Sequence, residues 1–146
     1  MTTENIAFAC QVQTTNNDIP LGLRVTLDQV TIFETAHVSD TVQIEHEISD
    51  GDGEHELTFE LFGKLPEHTK ITETGEIVSD ALLEINNITL DGIDLDQIFQ
   101  SLAVYHHDFN GTQTPADHKF HRRIGCNGTV TLKFTTPIYL WLLENM

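Results

Sequence analysis

At 146 residues and 39% apolar content the chain is long enough to bury one hydrophobic core, and we read residues 1–146 as a single domain. A formal charge of −16, from 23 acidic and 7 basic residues, argues against nucleic acid as a partner, because most of this surface would repel a phosphate backbone. No run of roughly eighteen apolar residues occurs, so no membrane span is expected; MTTENIAFACQV has neither the basic start nor the apolar core of a signal peptide.

The first strand signal is IAFACQVQ, where Ile6, Phe8, Cys10 and Val12 share one face. Leu21, Leu23, Val25 and Leu27 alternate in the same way. Asp28-Gln29 then reads as a tight connection into a return strand starting at Val30, with Ile32 and Phe33 following. In TVQIEHEI the inward row is Val42, Ile44, His46 and Ile48, so His46 is expected at the edge of the core. SDGDGEH is a turn signal, and the flanking runs predict an antiparallel hairpin with Leu57, Phe59 and Leu61 inward. Thr74-Gly75 marks a small surface hairpin between Ile71 and Ile77-Val78.

In ALLEINNITL the apolar positions Leu83, Ile85, Ile88 and Leu90 change parity, which calls for a bulge near Asn86-Asn87. Leu95, Ile98, Phe99 and Leu102 have helical spacing, and Asp94 with Gln97 has the form of a capping box, so one short helix is expected. Val130, Leu132 and Phe134 alternate again until Pro137. The end, IYLWLLENM, is apolar without alternation. It reads as a strand covered on both faces or as a tail docked on a neighbouring subunit, since each large side chain left bare costs about 1.5–3 kcal/mol. Roughly seven to nine short strands and one helix predict an all-β antiparallel sandwich, jelly-roll-like in arrangement.

Tyr105–Cys126 concentrates the chemistry. It holds four of the eight histidines, His106, His107, His118 and His121, with Asp108 and Asp117 beside them. His106, His107, Asp108, His118 and His121 form the candidate transition-metal set, although their spacing matches no standard zinc signature. A polar loop that buries some of its histidines is the plainer account. Acids at Asp50, Asp52 and Glu54 alternate as a calcium loop needs, but His55 and Leu61 stand where an EF-hand requires glycine and glutamate. Asp91, Asp94 and Asp96 form another acidic group. Calcium or a transition metal is therefore the candidate cofactor, while the acidity as a whole reads first as a solubility device. Cys10 and Cys126 read as buried free thiols in the absence of an export signal, their redox state left open. No nucleophile motif and no phosphate loop is present. The three Asn-x-Thr sequences read as turns.

YHHDFNGT, IGCNGTVTLKFTTPIYLWLLENM and DGEHELTFELFGK resemble little-characterised small proteins of marine tailed phages, especially those of cyanobacteria. LRVTLDQVTIFE and DGEHELTFELFG also resemble the sandwich core of carbohydrate-binding modules, through the pattern Gly53-x-His55-x-Leu57. The resemblance implies a virion-associated or accessory β-sandwich, acting in the virion or the host cytoplasm, and carries over no catalytic residue. A structural or glycan-binding role without catalysis is thus the leading expectation, with glycan or other virion proteins as partners. Tyr105, Phe109, Asn110 and Phe120 are the candidate ligand-binding residues, because a sugar needs rings beside polar groups. The alternatives are a metal-dependent, cupin-like enzyme built on the 106–121 histidines and a virion assembly protein that forms a homo-oligomer through its apolar C-terminal segment.

Overall fold

The computed structural model describes residues 5–16, 19–49, 51, 53–63, 70–71, 73–74, 77–79, 82–107, 114–120, 123–124 and 127–145. Its strands are β1 (Asn5–Thr14), β2 (Gly22–Leu27), β3 (Val30–Thr35), β4 (Thr41–Ser49), β5 (Gly53–Phe62), β6 (Lys70–Ile71), β7 (Ile77–Ser79), β8 (Leu83–Leu90), β9 (Ile93–Asp94), β10 (Val104–His107), β11 (Ala116–Lys119), β12 (Arg123–Ile124) and β13 (Gly128–Thr136). The helices are α1 (Asp96–Leu102) and α2 (Ile138–Asn145). One sheet runs β12-β8-β1-β4, with β9 also paired to β8. The other runs β11-β10-β13-β5-β2-β3, and β6 and β7 form a separate small hairpin. The expected antiparallel sandwich is what forms. Neither helix is long and apolar enough to cross a membrane.

Period-two patterning places the core. Ile6, Phe8, Cys10 and Val12 of β1 face Leu57, Phe59 and Leu61 of β5 and Val130, Leu132 and Phe134 of β13 across the sandwich, all buried. The parity break in β8 is resolved by a bulge: Ala9 pairs with Thr89 but Gln11 with Asn86, and Asn87 takes φ 54°. Both Ile85 and Ile88 are thereby buried. Burial pushes the Cys10 thiol up to about 12, with the charge of Asp96 acting in the same direction, so this free cysteine is chemically quiet. Cys126 lies outside the described residues.

Four local expectations are corrected. β4 and β5 are not a hairpin: β4 pairs with β1, whereas β5 lies between β13 and β2 in the other sheet. Each strand has an apolar row, and the two rows meet across the sandwich, so β4 and β5 belong to different layers. His46 is exposed, because β4 is an edge strand. The helix starts later than the capping box suggests. Asp94 Oδ1 accepts the Asp96 N–H at 2.8 Å, while Asp96 Oδ1 accepts the Ile88 N–H at 3.0 Å and ties α1 to β8. Finally, the apolar end is the helix α2, not a strand. Pro137 cannot continue the ladder, and its carbonyl accepts the Leu140 and Trp141 N–H groups.

α2 buries Ile138, Trp141 and Leu142. Trp141 packs edge-on against Phe134 of the six-stranded sheet, ring centroids 6.0 Å apart. Tyr139 donates its hydroxyl hydrogen to Asp91 Oδ2 at 3.0 Å, in the β8–β9 turn of the other sheet. The helix therefore spans the two layers at one end of the sandwich.

The β2–β3 connection has Asp28 at φ 52° and Gln29 at φ 70°, the positive-φ pair of a two-residue hairpin turn. A side chain at the second position carries strain that glycine lacks. Gln29→Gly is expected to raise the unfolding free energy by about 0.5–1 kcal/mol after glycine's entropy cost is set against it, as read by urea denaturation. An unchanged or lowered midpoint would show that this turn is not strained.

Candidate functional site

The predicted histidine cluster divides on strand geometry. His106 and His107 are consecutive in β10, so they point to opposite faces. His106 is exposed, and its Nδ1 lies 2.8 Å from Asp117 Oδ1 on the neighbouring strand. His107 is buried, with its ring 4.2 Å from that of Tyr105 and 4.2 Å from that of His118. His106 therefore cannot share an ion with His107 and His118. Among the described residues no three His, Cys, Asp or Glu side chains are grouped so as to hold a metal. Asp108 and His121, the rest of the predicted metal set, lie outside the described residues.

Two residues of the predicted sugar platform are buried. Tyr105 is 7% exposed and Phe120 1%. Phe120 meets Phe99 edge-on at 5.3 Å, and Phe99 meets Phe59 at 5.7 Å, so Phe120 ends a chain of core rings. Its place beside polar residues in the sequence made it a candidate, but α1 supplies the ring that covers it. Phe109 and Asn110 lie outside the described residues.

Two cavities lie instead beside Trp141. One, of about 580 Å³, is lined by residues that include Asp28, Glu54, His55, Thr135 and Phe134. A second, of about 550 Å³, is lined by residues that include Val104, His106, Asp117, Thr131 and Asn145. Glu56, Lys133 and Trp141 border both, so the two form one groove with Glu56 and Lys133 at its waist. Each volume is within the roughly 300–1,000 Å³ of small-ligand sites. Strand alternation explains the lining. Glu54, Glu56 and Thr58 of β5 pair with Thr135, Lys133 and Thr131 of β13, and these rows point away from the core. The core rows of the same strands carry His55 and Phe134, whose rings stack at 5.2 Å. Phe134 then meets Trp141, giving three rings in series under the groove.

A polar tie anchors one end. His55 Nδ1 lies 2.8 Å from Asp28 Oδ2, and His55 Nε2 lies 3.2 Å from Thr136 Oγ1. Thr136 in turn donates to the Gly51 carbonyl, and the Glu56 N–H donates to Asp28 Oδ1 at 2.8 Å. The tie joins the β2–β3 turn, β5 and the end of β13. Partial burial by itself would push the Asp28 carboxyl up. The hydrogen bonds from His55 and the Glu56 amide, with the charge of His55, outweigh it and hold Asp28 below the usual carboxylate range. Its contribution to stability is therefore present above the ordinary carboxylate pKa, about 3.9, and is lost as pH falls through the lower folded value. Asp28→Asn is expected to lower Tm at neutral pH, with the gap to the parent closing below about pH 4. A gap that persists in acid would mean that the carboxylate charge is not what holds the turn.

Asp28, His55, Glu56, Lys133 and Trp141 were not among the predicted site residues. The pattern Gly53-x-His55-x-Leu57 and the exposed parity of Glu56 and Lys133 were visible in the sequence. Nothing local in it brings residues 28, 55 and 136 together.

No protein-family model matches this chain, and no curated protein matches it. Its structural neighbours are carbohydrate-binding modules. The likeness is one of fold. A selenomethionine form of vCBM60, from work linking two families of calcium-dependent carbohydrate binding modules by circular permutation, is 10% identical. It covers 87% of this chain and 89% of its own length, with a TM-score of 0.50. vCBM60 in complex with galactobiose is 12% identical, covers 86% of this chain and 96% of its own, and has a TM-score of 0.47.

Proposed function

We propose that this chain is a non-enzymatic glycan-binding module whose site is the groove along Trp141. The observation that carries the reading is the groove itself. It sets threonine hydroxyls, carboxylates, an ammonium and the Asn145 amide along an indole edge, the mixture that sugar hydroxyls and ring faces require. The sandwich shared with a carbohydrate-binding module supports it. That neighbour's families are described as calcium-dependent, but Asp28 is engaged by His55 and the Glu56 amide, and the described residues supply no three-ligand group.

A glycan array followed by calorimetric titration, with calcium and with EDTA, tests the reading. Lys133→Ala and Glu56→Ala are expected to weaken binding about tenfold each, the scale of one charge-assisted hydrogen bond. Gln43→Ala, on the other sheet, should leave it unchanged. Absence of any glycan ligand, or binding indifferent to the groove variants, would overturn the assignment. Loss of binding in Phe109→Ala alone would move the site to residues 108–113.

The resemblance to marine tailed-phage proteins supports a finer reading, in which the module belongs to a virion or is made with one in the host cytoplasm. Immunodetection in purified virions is the check. Glycan attachment is favoured over assembly because the groove is built from polar side chains, although Tyr139, Leu140 and Leu143 of α2 are exposed.

A further inference from the structure

We infer that the groove selects cationic amino sugars over neutral sugars and rejects anionic ones; this rests on the glycan-binding reading above. Sugar sites commonly draw affinity from an exposed ring on which the saccharide stacks. Here the carbocyclic rings that reach the groove, Phe134 and Trp141, are 2% and 6% exposed, and the His55 and His106 imidazoles are engaged by Asp28 and Asp117. Little stacking area is on offer, so the binding free energy must come from polar groups.

Those groups are unequal in charge. Asp28 already holds His55, and Asp117 lies against His106. The carboxylates left to the groove are Glu54 and Glu56, both exposed, and Lys133 is the cation that lines it. Lys133 sits directly across from Glu56 in the β5–β13 register, which offsets one charge with the other. Glu54, one position pair further along, faces Thr135 instead. A sugar ammonium placed there meets a carboxylate and a hydroxyl acceptor, a charge-assisted arrangement. A uronate or sulfate in the same place meets like charge, within the field of a chain whose formal charge is −16.

The test is calorimetric titration of the full chain with three probes: β-linked glucosamine oligomers, the same oligomers N-acetylated, and galacturonate oligomers. The amino oligomer is expected to bind at least about tenfold more tightly than its acetylated form, and the galacturonate oligomer not to bind measurably. Raising the salt should shrink the preference. The variant Glu54→Gln with Glu56→Gln, its fold checked by circular dichroism, should bring the amino and acetylated oligomers within about twofold of each other. The pair Glu45→Gln with Glu47→Gln, on the other sheet, should retain the preference; an equal loss there would show diffuse attraction and overturn the inference. Equal or tighter binding of the acetylated or anionic oligomer would also overturn it, while leaving the glycan-binding reading intact. Failure of the amino oligomer to bind sinks the inference, whereas failure of every glycan on the array sinks the reading beneath it.

Discussion

Phe99→Ala is expected to lower the unfolding free energy by about 3–5 kcal/mol, the largest single effect we assign to a side chain. Phe99 is fully buried on α1. Its ring stands between Phe59 of β5 and Phe120, edge-on to both, with interplanar angles of 85° and 82°. Alanine removes the middle ring of three. The two neighbours sit on different elements and cannot both close the gap, so the cavity cost adds to the lost transfer energy. α1 also bridges the sheets, leading from β9 to β10, so the loss loosens the junction of the layers. Urea denaturation reads the change, with Phe99→Leu as the control that keeps most of the volume. A loss under about 1 kcal/mol would show that the core repacks freely there.

Gly128→Ala is the second large effect, expected to cost about 1–3 kcal/mol. Gly128 opens β13, between His107 of β10 and Leu61 of β5. A methyl group there would be driven into the carbonyl oxygen of His106 and would stand 2.8 Å from the His107 Cβ. The first obstacle is backbone, so β10 itself must move. Because His106 and its partner Asp117 travel with β10, the displacement should also alter the groove. Thermal unfolding reads the stability, and titration with the array's best glycan reads the groove. A variant that melts with the parent would mean that β10 and β13 separate easily.

These two positions show how far local sequence carries. The rows of β1, β5 and β13 were legible because both faces of each strand have distinct partners, core on one side and water on the other. The β8 bulge was legible from its parity break. Phe99 was legible as a helical core residue from its spacing with Leu95 and Leu102. Gly128 was not, because Asn127-Gly128 has the form of a turn, and its true constraint is the approach of a strand distant in sequence. The partition of β4 and β5 between sheets escaped for the same reason: an alternating strand does not say which neighbour it will bond. The groove was hidden longest. His55, Asp28 and Thr136 are ordinary residues of three separate strand ends, and only the register of β2, β5 and β13 makes them meet.

The centre of the six-stranded sheet joins residues 53–62 to residues 128–136. A ribosome therefore releases β5 long before its mate exists. Until Gly128 and its successors emerge, β5 has one flank bare and the β2–β3 ribbon hangs from an unfinished layer, which is the kind of open edge that recruits other nascent chains. Assembly of this sheet must wait until residues 128–136 have been made, and such distant pairing is intrinsically slow. Yield from overexpression should consequently depend on temperature and on chaperone supply far more than the stability of the finished molecule does.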